Sequence, residues 1–145
     1  MRDIISWGEC ARTGINNCDL LAVQLSQINS FIIQIEDLSD DNEYSEPPAI
    51  DTRKISHFIF LNFPEFSCYN ISSDVTTKIA ETSILVGDSR DDLLDIIKDF
   101  KEILWYLENT STANAIWHLK FGYSAHWGKH LIDLLSYLFC LKNGI

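Results

Sequence analysis

Two clusters of side chains in this 145-residue chain have the types and spacing to do chemistry. The first, Asp91-Asp92-Leu93-Leu94-Asp95, has the D-D-x-x-D form in which carboxylates on one helix turn hold Mg2+ for a diphosphate, because hard divalent cations favour oxygen ligands. The second lies in Ser124-Ala125-His126-Trp127-Gly128-Lys129-His130-Leu131-Ile132-Asp133. His126 and His130 stand four apart, so on a helix neighbouring turns bring both imidazoles to one side, as the H-E-x-x-H arrangement does for zinc. The glutamate that acts as base in that arrangement is missing. Asp133 shares the face, but it lies about 10 Å from His126 along the axis at 1.5 Å per residue, so the three cannot converge on one ion. A metal centre therefore needs ligands from another element, either His118 or the aspartates Asp91, Asp92 and Asp95. With them, the chain would read as a small metal-dependent hydrolase. The opposing reading is structural: each imidazole donates to a carboxylate such as Asp92 or Asp95 and ties two helices together, with no metal, no cofactor and no reaction.

These residues must be positioned by helices. Leu93, Ile97, Phe100, Leu104 and Leu107 fall on one face of a helix from Ser89, while Asp88, Asp92, Asp95, Asp99 and Glu102 line the other. Such a charge run is most often a solvated face, with its early aspartates favoured by the helix dipole. After Asn109-Thr110-Ser111-Thr112 a capped helix carries Trp117 and Phe121, and a last one runs from about Ser124 to Leu141. In these two, Trp117, Phe121 and Trp127 are expected in the core. Upstream, Leu21, Leu25, Ile28, Ile32 and Ile35 predict a helix over 18–38 with Asn17 at its start. Ile55, Phe58, Ile59 and Phe63 predict another from Asp51 or Thr52 that Pro64 ends, with a short strand as its rival. Between them, the acidic and proline-bearing stretch of about 38–50, including Asp40, Asp41 and Glu43, is expected to be an exposed, mobile loop. Residues 64–87 show irregular apolar spacing and are expected to form short helical turns. The expectation is one domain over 1–145, an all-α compact bundle of four to six helices.

Composition narrows the function classes. Eleven lysines and arginines against 21 aspartates and glutamates give a net charge of −10, which repels a phosphate backbone or an anionic bilayer surface. From Thr13 to Thr52 there is no lysine or arginine at all. The expected partner is a basic protein, and neither nucleic acid nor membrane. Four cysteines without C-x-x-C spacing, and no signal-peptide pattern, predict free thiols and a cytoplasmic location. No nucleophile triad and no glycine-rich phosphate loop is present.

The order and spacing of "FPEFSCYN", "VGDSRDDLLDIIKDFKEILWYLE", "AIWHLKF" and "HWGKHLIDLLSYLF" resemble the bacterial domain-of-unknown-function family 5063 over about residues 55–141. The resemblance implies a compact helical fold and carries no reaction with it. The expected function is a non-enzymatic binding module: an immunity-type inhibitor that neutralises a basic toxin domain, such as a nuclease, through Asp88, Asp92, Asp95, Asp99, Glu102, Asp40, Asp41 and Glu43. Its carboxylates would imitate the charge of the toxin's own substrate. The metal-dependent hydrolase using His126, His130, Asp91, Asp92 and Asp95 is the alternative.

Overall fold

The chain opens with a helical turn, α1 (Arg2–Ile5), and a single 3-10 turn at Ser6–Gly8 whose Trp7 is fully buried. The computed structural model describes residues 1–14 and 16–145, and the remaining elements follow in chain order. They are α2 (Asn17–Gln34), α3 (Thr52–Asn62), β1 (Cys68–Ser72), β2 (Ile84–Asp88), α4 (Ser89–Asn109), α5 (Thr112–Ala125) and α6 (Trp127–Asn143). Helix α4 is the central strut, packed against α1, α3, α5 and α6. Around it Trp7, Phe63, Phe66, Phe100 and Trp127 form the aromatic part of the core.

Local chemistry explains most boundaries. The Asp51 carboxylate accepts from the Arg53 N–H at 3.1 Å and starts α3, while Asp88 does the same for Arg90 at 2.9 Å and starts α4. Ser111 caps α5 through the Asn114 N–H at 3.0 Å. Gly144, at φ 66° and ψ 35°, closes α6 in the left-handed conformation that favours glycine. Helix α2 ends at Gln34, four residues short of the expected boundary. Its terminal region is held by Lys120 of α5, whose ammonium donates to the Ile35 carbonyl at 2.7 Å. Asn17 is its first helical residue and, instead of capping it, donates to the Asn62 carbonyl at 2.9 Å.

The expectation of an all-α bundle holds in the main and is corrected in one part: the fold is mostly helical, with a two-stranded antiparallel sheet formed by residues 68–72 and 84–88 where short helical turns were expected. Strands β1 and β2 pair Cys68 with Asp88 and Ser72 with Ile84 at their ends. Their period-2 signal is the short Cys-Tyr-Asn-Ile-Ser run, which turns Tyr69 and Ile71 inward, and the Ile-Leu-Val of β2 is largely exposed. Five-residue strands give too little alternation to stand out from their irregular surroundings. Trp117 and Phe121, expected in the core, are 43% and 58% exposed, and Leu107 is also exposed. The acidic loop is exposed as expected but tethered. Asp37 pairs with Lys120 at 2.6 Å, Asp40 accepts from Ser111 and Tyr44, and Tyr106 donates to Glu46 at 2.8 Å.

One buried polar residue fastens the amino terminus. Asn62 is 2% exposed; its amide donates to the carbonyls of Trp7 and Cys10, both at 2.9 Å, and its oxygen accepts from the Arg12 N–H at 2.7 Å. Asn62→Ala strands all three groups and is expected to cost about 2 kcal/mol of folding free energy in urea denaturation. A loss below about 0.5 kcal/mol would mean that the amino-terminal segment is held by Trp7 packing alone.

Candidate functional site

Residues 92, 95 and 99 lie at i, i+3 and i+7 and so share one face of α4, which runs against the start of α6. His130 bonds through Nδ1 to the Asp92 carboxylate at 2.8 Å, and its Nε2 stands 3.6 Å from Asp95 Oδ2. His126, at the joint between α5 and α6, bonds through Nδ1 to Asp99 Oδ2 at 2.7 Å. The pairing of 92 with 130 and 99 with 126 shows that the two helices run antiparallel here. The two imidazole rings stand 5.0 Å apart between centroids at 77°.

A further layer supports Asp92. It is only 6% exposed, and its second carboxylate oxygen accepts from the Tyr69 hydroxyl. Tyr69 reaches it because Gly87 lies opposite on β2: a Cβ there would stand 2.7 Å from the ring carbon Cζ, so any larger residue would push the phenol away. The sheet that sequence periodicity missed thus delivers one of the residues that order the site. Gly128 acts similarly at the α5–α6 joint, where a Cβ would overlap the Tyr123 carbonyl oxygen.

The electrostatics follow from these contacts. The hydrogen bond to Asp92 raises the His130 pKa above the ordinary imidazole value, against the opposing effect of burial. Burial pushes the Tyr69 phenol strongly upward, and the bond to Asp92 adds to it. Asp91, though exposed, titrates above the usual carboxylate range, first through partial desolvation by its neighbours and then through the charges of Asp95, Asp88 and Asp92. Glu102 is raised mainly by burial, with Lys98 opposing and Asp99 and Glu46 adding. Glu46 comes from the acidic loop, so the loop adds its charge to the carboxyl-terminal end of the α4 acids at Glu102.

The structure therefore divides the expected acidic face. Asp92 is buried rather than solvated, Asp95 and Asp99 face histidines, and Asp88 caps α4. Asp41, Glu43 and Asp91 are exposed, whereas Glu102 and Asp40 are half-buried. Of the expected metal set, Asp95, His126 and His130 come together: one ligand atom from each lies within 4.8 Å of the others. Asp92 stands behind His130, and Asp91 falls outside the group. His118, also considered as a ligand, instead stacks on Tyr106 at 3.7 Å and 7°, and burial lowers its pKa. His126 and His118 line a common cavity of about 190 Å³ with Glu102, Phe121 and Trp127, and the fully buried Trp127 Nε1 has no hydrogen-bond partner.

Beside this cavity is a feature that the sequence did not signal. Trp117 and Phe121 stack in parallel on the surface of α5, with centroids 5.0 Å apart at 4°. They line a concavity of about 370 Å³ with Leu38, Asp37 and Lys120, so the acidic loop forms one wall of an exposed aromatic patch. Their helical spacing of four is equally compatible with a core stripe, and only the placement of the loop distinguishes the two.

No helix among the described residues is long and apolar enough to cross a membrane. Comparison with curated proteins and with solved structures found no match to the chain. Residues 20–143 match the family described as Domain of unknown function (DUF5063), and the chain belongs to that family.

Proposed function

We propose that this protein is a non-enzymatic protein-binding module, an immunity-type inhibitor that covers a basic toxin domain such as a nuclease. The observation that carries the reading is the exposed Trp117–Phe121 stack with Leu38 beside it, walled by the acidic loop. Binding interfaces concentrate their energy in a few central aromatic residues, and a charged rim governs encounter and rejects wrong partners. The patch itself carries one ion pair, Asp37 with Lys120 at 2.6 Å, and the charge of the whole chain, −10, supplies long-range attraction for a cationic partner. Asp92, deep in the bundle, takes no part in contact. The working acids are Asp41, Glu43, Asp91 and Glu102, with Asp40 fixing the loop.

The test begins with immobilised protein, used to capture partners from a lysate of the native host at low ionic strength. The captured chain is then purified for kinetics and for assay of its own activity. A basic toxin domain silenced at one-to-one stoichiometry is the expected result. Trp117→Ala should then speed dissociation roughly 30-fold, the equivalent of about 2 kcal/mol at an aromatic anchor. Reversal of Asp41 and Glu43 to lysine should instead slow association and flatten its salt dependence. If the captured partner is not basic, or if it stays active when bound, the inhibitor reading fails. If neither variant changes the kinetics, the interface lies elsewhere.

A further inference from the structure

We propose that Asp95, His126 and His130 form a binding site for one divalent transition-metal ion, with Zn2+ the best fit. Both histidines spend Nδ1 on a carboxylate, Asp99 for His126 at 2.7 Å and Asp92 for His130 at 2.8 Å. Such a bond fixes the proton on Nδ1, leaves the Nε2 lone pair for a metal and increases its basicity, as outer-shell carboxylates do behind metal-bound histidines. Two helices could be tied by those two bonds alone. A mere tie gives no reason for a third carboxylate, Asp95, to stand 3.6 Å from the unengaged His130 Nε2, with a ring nitrogen of His126 completing a group of ligand atoms within 4.8 Å of one another.

The dimensions suit one ion. Ligands at about 2.1 Å in a tetrahedron lie about 3.4 Å from each other, and His130 Nε2 is 3.6 Å from Asp95 Oδ2. The His126 ring, 46% exposed and held on one side by Asp99, is the part that must adjust to complete the set. Two imidazoles and one carboxylate select zinc and its neighbours in the first transition row over Mg2+ or Ca2+, which prefer all-oxygen sets. Three protein ligands also leave a position open to water, the arrangement of exchangeable rather than sealed sites. The site adjoins the Trp117–Phe121 patch through the cavity that His126 and Phe121 share, but metal binding is read directly, so its outcome is distinguishable from that of the inhibitor reading.

The test uses full-length protein without a histidine tag, stripped with chelator and titrated with Zn2+ by calorimetry, with Co2+ absorption as a second readout. Stoichiometric binding is expected, with a Co2+ spectrum of nitrogen and oxygen ligation. His126→Ala and Asp95→Ala, both at partly exposed positions, should weaken binding at least 100-fold while keeping the helical circular dichroism. Asp99→Asn should weaken it roughly 10- to 100-fold through His126. A Zn2+ dissociation constant weaker than about 100 µM overturns the proposal. So does stoichiometric binding that survives His126→Ala, or a Co2+ spectrum with a thiolate charge-transfer band, which would place the ion on the cysteines.

Discussion

Trp127→Ala is expected to remove about 4 kcal/mol of folding free energy, the cost of emptying an indole-sized space in a packed core. Trp127 is fully buried at the first position of α6, edge-on to Phe100 at 4.9 Å and to Tyr123 at 5.1 Å. It therefore seals the junction of α4, α5 and α6, the three helices that carry the histidines and aspartates. Against a total stability of about 5–15 kcal/mol for a domain of this kind, such a loss leaves a molecule that unfolds at low urea. Trp127→Phe should behave very differently. Its Nε1 is buried without a partner, and an unpaired N–H costs about 1–3 kcal/mol that phenylalanine does not incur. That gain offsets much of the smaller ring's cavity, so the net change should stay within about 1 kcal/mol. Urea denaturation followed by circular dichroism distinguishes them. Equal losses in both variants would mean that the indole N–H is satisfied in solution, and a wild-type midpoint for Trp127→Ala would remove Trp127 from the core.

How far the sequence specifies this arrangement depends on the range of the interactions involved. Helix α4 was legible because its signal is local, apolar positions three and four apart from Ser89 onward, although the capping role of Asp88 emerged only in the structure. The start of α3 at Asp51 and its end before Pro64 were legible for the same reason. The i, i+4 histidines and the i, i+3 aspartates were also visible, and so was the idea that they bridge. What the helical wheel could not give is the direction in which each face points. It left the α4 acids between a solvated stripe and a tie to the histidines, whereas α6 buries Asp92 and meets Asp95 and Asp99 but leaves Asp88 and Asp91 exposed. The reverse happened at Trp117 and Phe121, where apolar spacing predicts burial but the acidic loop beside them leaves both rings exposed. The end of α2 at Gln34 escaped prediction because Lys120, 85 positions beyond Ile35, holds its terminal carbonyl. Tyr69 escaped because it reaches the site through a strand of five residues and the absence of a side chain at Gly87.

Asp92 is the residue on which these long-range contacts converge, and Asp92→Ala is expected to cost about 3 kcal/mol, the penalty for removing one partner of a buried charged network. The change leaves the Tyr69 hydroxyl and His130 Nδ1 without their acceptor in a region nearly closed to water. A double-mutant cycle with Tyr69→Phe should show a coupling energy of about 1 kcal/mol, since the two side chains share one bond. The pH dependence has a defined sign. In chelator-treated protein the folded state holds the His130 proton more tightly than the unfolded chain does. The contribution of the pair is therefore complete below about pH 6.5, the ordinary imidazole value, and is lost as the pH rises through the elevated folded pKa. Stability should decline across that window in the parent protein, and Asp92→Asn, which keeps an acceptor for Tyr69 but no charge, should lack the decline. A parent protein whose stability is flat from about pH 6 to pH 9 would show that folding does not favour the protonated form of His130, so the pair would give no net ionic stabilisation.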